Sequence, residues 1–149
     1  MEVITVVPLL ALTTLLFVGQ PASSLKTAGV PVLLPRTFPT GVPHKIYAYI
    51  EELRNGAYTV QLQWTADCGG AEPCYIGTIE GGVTDPVSGG RTVRLHNGIA
   101  AKFTDFTCSG WCSKPFLTFL YKGTTYKFTL KGSTLAQLVA SANRLFPPR

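Results

Sequence analysis

AYTVQLQWTAD, residues 57–67, sets Tyr58, Val60, Leu62 and Trp64 on one side of an extended chain and Thr59, Gln61, Gln63 and Thr65 on the other. Side chains of a strand alternate faces, so period two with one apolar face specifies a half-buried β-strand. Upstream, Asn55-Gly56 separates it from the aromatic, β-branched run HKIYAYIEEL (44–53). Asn-Gly is a strong hairpin signal because both turn positions want φ > 0. Downstream, Asp67 leads straight into a cysteine loop, CGGAEPC (68–74).

The same grammar continues toward the C-terminus. CYIGTIEGGV (74–83) reads as a short strand weakened by its glycines, and TDPVSGG (84–90) as a loop. RTVRL and IAAKF flank His96-Asn97-Gly98 as a second hairpin. FLTFLY and TYKFTL flank Lys122-Gly123-Thr124 as a third, with Tyr126, Phe128 and Leu130 apolar against Lys127, Thr129 and Lys131. The period then changes. STLAQLVASANRLFPP (133–148) places Leu135, Leu138, Val139, Ala142, Leu145 and Phe146 on one helical stripe. Thr134 and Gln137 have capping-box spacing, and Pro147 and Pro148 stop the helix. The expected fold is α+β: an antiparallel sheet of about six to eight strands, built from hairpins and packed by one C-terminal helix.

The N-terminal part has a different composition. Val3 to Val18 carries no charge, and Ala22 and Ser24 have signal-peptidase spacing, although Glu2 stands where a basic residue is usual. Residues 1–24 read as a signal peptide or N-terminal anchor; the apolar run, broken by Pro8, is short for the ~20 residues of a spanning helix. Residues 25–43 carry Pro31, Pro35, Pro39 and Pro43 and read as a Pro-rich linker or edge segment. Residues 44–149 read as a single disulfide-containing β-rich domain. The chain of 149 residues has a formal charge of +5 with its charges scattered, which argues against a nucleic-acid stripe.

Four cysteines in an exported domain are expected to pair. Cys68 with Cys74 and Cys108 with Cys112 is the favoured scheme, since each span is long enough for bridging geometry; pairings that join the two loops stay open. A structural zinc site is disfavoured by the C-x₅-C spacing of the first pair, and redox catalysis by the lack of C-x-x-C before a helix.

Catalytic signals are sparse. His44 and His96 are the two histidines. A triad would need His96 to meet Asp67, Asp85 or Asp105 and a hydroxyl, and no G-x-S-x-G frames a serine. Trp111, between the second pair of cysteines, is a candidate binding anchor, with Lys114 and His96 as further binding candidates. The expectation is a non-enzymatic binding or accessory module, without cofactor or metal. Its partner is an envelope protein, polymer or lipid, with no nucleic acid, and the membrane is met only through an uncleaved N-terminal segment. Two alternatives stand beside it. One is a carrier of an apolar ligand held between sheet and helix, near Leu138, Val139, Phe128 and Val60; the other is a hydrolase without a recognisable motif.

PVLLPRTFP (31–39), YTVQLQWTADCGGAEPC (58–74), CSGWC (108–112), FLTFLYKGTTYKFTLKG (116–132) and TLAQLVASANRL (134–145), in that order, carry a family likeness. The chain resembles a group of small exported bacterial proteins, mainly cyanobacterial, with a paired-cysteine β-rich domain and no assigned function. That resemblance implies export to an extracytoplasmic space and the fold; it supplies no catalytic residues.

Overall fold

The computed structural model describes residues 13–14, 16–18, 24–35, 37–38, 45–68, 71–87 and 89–147. The strands in chain order are β1 (Thr13–Thr14), β2 (Leu16–Val18), β3 (Thr37–Phe38), β4 (Lys45–Arg54), β5 (Ala57–Gln63), β6 (Tyr75–Gly81), β7 (Arg91–Arg94), β8 (Ala100–Thr104), β9 (Thr107–Ser109), β10 (Trp111–Ser113), β11 (Phe116–Tyr121) and β12 (Thr124–Leu130), followed by helix α1 (Leu135–Ala142). The main sheet runs β2-β4-β5-β6-β12-β11-β8-β7. The seven strands from β4 to β7 in this order pair antiparallel with one another; β2 pairs in parallel on β4. The sheet is thus two meanders, β4-β5-β6 and β7-β8-β11-β12, joined edge to edge where β6 meets β12. The α+β expectation holds. Most of the expected signal segment, and His44, lie outside the described residues.

Register assembles one apolar face. Val60 lies opposite Ile79, Ile79 opposite Phe128, Phe128 opposite Leu117, and Leu117 opposite Phe103. All but Phe103 are fully buried, and Phe103 is nearly so. In the next row Tyr58 and Tyr126 flank Gly81. A Cβ at Gly81 would lie 2.5 Å from Tyr58 Cε1 and 2.9 Å from Tyr126 Cε1. The glycine that weakens β6 as a strand sequence is what lets two tyrosine rings lie over it.

Two elements cover this face. The first is a strap, residues 24–35, with a 3₁₀ turn at Lys26–Ala28 and a left-handed Gly29. The sequence reads residues 25–43 as a linker or edge segment; in the described part Leu25, Ala28 and Leu33 are core residues. Residues 31–35 belong to no strand, so side chains take their backbone groups. Tyr58 Oη accepts the Leu33 N–H and donates to the Leu33 carbonyl, each at 2.8 Å. Tyr126 Oη donates to the Pro31 carbonyl at 2.5 Å. Burial drives the Tyr58 hydroxyl far above its usual range and that of Tyr126 to about 12, so both act as neutral hydroxyls.

The second cover is α1. Its capping box is complete: Gln137 N–H donates to Thr134 Oγ1 and Thr134 N–H to Gln137 Oε1. The helix ends at Ala142, before the prolines. Arg144 N–H and Leu145 N–H instead reach back three residues, to the carbonyls of Ser141 and Ala142. This tightened turn swings Phe146 onto Phe119 and Tyr121, with ring centroids 5.6 and 5.0 Å apart.

The turns also differ from the sequence reading in one respect. The Asn55-Gly56 hairpin forms, with Arg54 opposite Ala57, but only Gly56 is left-handed. Two consecutive left-handed residues occur instead at Lys122 (φ 49°) and Gly123 (φ 79°). The Arg54–Ala57 turn is shaped by a tertiary bond, Gly56 N–H to Ala28 O at 2.7 Å, which the dipeptide does not encode.

Candidate functional site

Both local disulfides are present, Cys68–Cys74 and Cys108–Cys112, and free cysteines are absent among the described residues. Such bridges require an oxidising environment. No helix among the described residues is long and apolar enough to cross a membrane. The two bridges sit at the same end of the sheet but in different settings.

Cys68–Cys74 closes a loop bonded to its surroundings. The Ala71 N–H donates to Cys68 O, Cys74 N–H to Ala71 O, and Trp64 N–H to Cys74 O at 2.8 Å. Cys68 is buried, and Trp64 packs partly buried at the core edge. Cys108–Cys112 instead cross-links directly opposed residues of the short β9–β10 ribbon. The sequence suggests a loop there; it is a two-stranded hairpin turning at left-handed Gly110 (φ 83°). Every residue of β9 is exposed, and Trp111, beside the turn, is 80% exposed. A Trp ring of this size left in water forgoes about 4 kcal/mol of burial.

Glu72 connects the two loops. Its Oε1 accepts from Lys114 Nζ at 2.7 Å, and Lys131 Nζ lies 3.8 Å from its Oε2 and donates to its backbone carbonyl. The Lys114 hydrogen bond chiefly, then the charges of Lys114 and Lys131, hold the Glu72 carboxyl below its ordinary range. Lys114 Nζ also stands 5.1 Å from the centroid of the Tyr75 ring. A cleft of about 540 Å³ opens here, lined by Glu72, Phe106, Cys112, Lys114, Pro115 and Lys131, among others. Phe106 is 57% exposed at its margin.

Trp111 and Lys114 therefore belong to one end of the molecule, and His96 does not join them. His96 is exposed on the β7–β8 turn, its backbone N–H donating to Asn143 Oδ1 at 2.8 Å. It lines a separate hollow of about 800 Å³ between α1 and the β7 edge, with Val93, Leu135 and Val139. No hydrogen bond links His96 to Asp67, Asp85 or Asp105 among the described residues; Asp105 instead accepts the Phe106 N–H at 2.7 Å. Of the residues read as an apolar-ligand lining, Leu138, Phe128 and Val60 are fully buried in the shared core, and Val139, partly buried against that core, lines the hollow beside β7. Phe106 and Glu72 had no signal of their own in the sequence; only the meeting of the two cysteine loops reveals them.

No protein-family profile, curated protein or solved structure matches this chain.

Proposed function

We propose that this chain is an exported, non-enzymatic binding module of the cell envelope, and that it engages a partner protein through its disulfide-tied end. The observation that carries this reading is Trp111, held 80% exposed on a covalently closed hairpin. A large amphipathic ring presented on a short ribbon loses little freedom when a partner covers it, which is how interface anchors contribute most of their binding energy. Phe106 and the cleft of about 540 Å³ beside the ribbon extend the contact, with Lys114 and Lys131 as a polar rim around Glu72. The two disulfides fit export, because the bridges persist only outside a reducing compartment.

Photo-crosslinking in the producing cell tests it. A benzophenone amino acid at position 111 is expected to give a discrete protein adduct that the same group at Thr92, on the far edge strand, does not give. Equal labelling from both positions, or none from position 111, would sink the reading.

A second reading, a carrier of an apolar ligand, is favoured by the hollow of about 800 Å³ between α1 and the β7 edge, lined by Val93, Leu135 and Val139 among others. Titration with dodecanoate that shifts the Val139 methyl resonances supports it; unchanged methyl resonances count against it.

A further inference from the structure

The sheet face turned away from the strap and α1 carries a hollow that no motif marked. It holds about 460 Å³ and is lined by Tyr49 and Glu51 of β4, Gln61 and Gln63 of β5, and Ala66 and Asp67 where the chain enters the first cysteine loop. Register brings them together, because Tyr49 lies opposite Gln61 and Tyr47 opposite Gln63. The floor is set in advance. Gln63 is 2% exposed, and its Nε2 donates to Gln61 Oε1 at 3.3 Å. That bond takes one lone pair of the Gln61 carbonyl and turns its NH₂ group to the other side as donor. Tyr49 presents its ring, 58% exposed. Glu51, two residues along β4 from Tyr49, and Asp67 are exposed and offer acceptor oxygens.

The lining discriminates among ligand classes. An anion meets Glu51 and Asp67, with Glu52 and Glu80 nearby on the same half of the sheet, and is repelled. An apolar ligand would strip water from amides and carboxylates without replacing their hydrogen bonds. A divalent cation needs a cluster of ligating side chains, and no group of three or more His, Cys, Asp or Glu is so placed among the described residues. An uncharged polyol satisfies every requirement. Each hydroxyl both donates and accepts, so neighbouring hydroxyls match an amide donor and a carboxylate acceptor. The C–H face of a pyranose ring is apolar and fits a flat exposed tyrosine.

We infer that this hollow is a binding site for an uncharged saccharide, with Tyr49 as its stacking platform, Gln61 as donor, and Glu51 and Asp67 as acceptors. The hollow abuts the first cysteine loop at Ala66 and Asp67 but shares no lining residue with the cleft beside the β9–β10 ribbon, so the two proposals are tested independently.

The test titrates the ¹⁵N-labelled full chain with cellotetraose, maltotetraose, xylotetraose and N-acetylated chitotetraose, each to about 10 mM, a range that captures millimolar affinities. At least one is expected to shift the amides of Tyr49, Gln61 and Ala66 saturably. Tyr49→Ala and Gln61→Ala should each weaken that binding about tenfold, a loss of about 1.4 kcal/mol, while Trp111→Ala leaves it unchanged. The same spectra report whether each variant is folded. Three results overturn the proposal: none of the four saccharides moves these amides; binding survives both substitutions; or Trp111→Ala abolishes it, which moves the saccharide to the β9–β10 ribbon. A shift produced only by putrescine, a charged probe, overturns it as well.

Discussion

The two faces of this sheet treat their polar groups differently. Under the strap, Tyr58 bonds Leu33 twice and Tyr126 bonds Pro31. On the open face, Thr118 is 9% exposed between Lys127 and Lys102 of the neighbouring strands, yet its Oγ1 has no hydrogen-bond partner among the described residues. Nearby, Glu80 has its carboxyl pushed above its ordinary value, by burial first, with Glu51 and Glu52 adding and Lys127 opposing. The contrast follows from what covers each face. A strap outside any strand cannot satisfy its own backbone, so the sheet's side chains must do it. The open face has no such obligation, and solvent reaches most of it. That tolerance leaves room for a ligand site there.

The sharpest way to break this contrast is Tyr58→Phe. It leaves the buried N–H and carbonyl of Leu33 unpaired, and a loss of about 2–3 kcal/mol is expected. Urea denaturation measures it, and hydrogen exchange should show lost protection at Leu33. A cost near zero would mean that the strap does not depend on the tyrosine. Gly81→Ala strikes the same device from the sheet side. Its Cβ would stand 2.5 Å from the Tyr58 ring, and overpacking of this kind costs about 1–3 kcal/mol.

On the open face the sign should reverse. Thr118→Val conserves shape and removes an unpaired buried hydroxyl, so it is expected to stabilise by about 1 kcal/mol in the same denaturation assay. Ser141 of α1, fully buried on the covered side with an unpartnered Oγ among the described residues, is the exception that refines the comparison. Ser141→Ala should also stabilise by about 1 kcal/mol, since alanine adds helix propensity. The rule then concerns the strap's backbone and not burial alone.

The smallest expected effect belongs to Glu80→Gln. A carboxyl whose folded pKa is raised binds its proton more tightly when folded. Stability therefore falls as pH rises from the ordinary value of 4.5 through the raised one, and stays lower above it. Chemical denaturation across pH 3–8 should show wild type and variant parallel at the acid end, with the variant modestly more stable at neutral pH. Because Glu80 is partly solvated, screening keeps the difference small.

Several parts of this architecture were legible from short-range pattern. The alternation at Tyr58, Val60 and Leu62, the capping box at Thr134 and Gln137, and the local cysteine pairing depend on neighbours in sequence, and all three stand in the structure. What escaped depends on partners far along the chain. Pro31–Pro35 has the composition of a spacer, and only the hydroxyls of Tyr58 and Tyr126 make it core. Gly77 and Gly81 weaken β6 by propensity, yet a Cβ at Gly77 would lie 2.4 Å from the Thr129 carbonyl, so the central position demands them. Gln63 reads as an outward polar residue and is buried, because the register shift after Leu62 sets it between β4 and β6 opposite Tyr47 and Tyr75. Trp111 was legible as a candidate; Phe106, Glu72 and the Tyr49 hollow needed the topology.

The seam between the meanders has a kinetic side. Each meander closes through neighbouring segments, but β6 finds β12 only after the whole of β7 to β11 has been spanned, from Gly77 opposite Leu130 to Gly81 opposite Tyr126. Both covalent bridges are local, enclosing six and four residue steps, so neither shortens that search. Loop-closure entropy makes such a pairing the slow event in assembling a sheet. Until the seam forms, each half exposes a bare strand edge, and the tyrosines that receive the strap lie on opposite sides of the gap. Leu33 and Ala28 bond the first meander alone, so that part of the strap can dock early; only the Pro31 bond to Tyr126 must wait for the sheet to zip, and it fastens the strap across the seam.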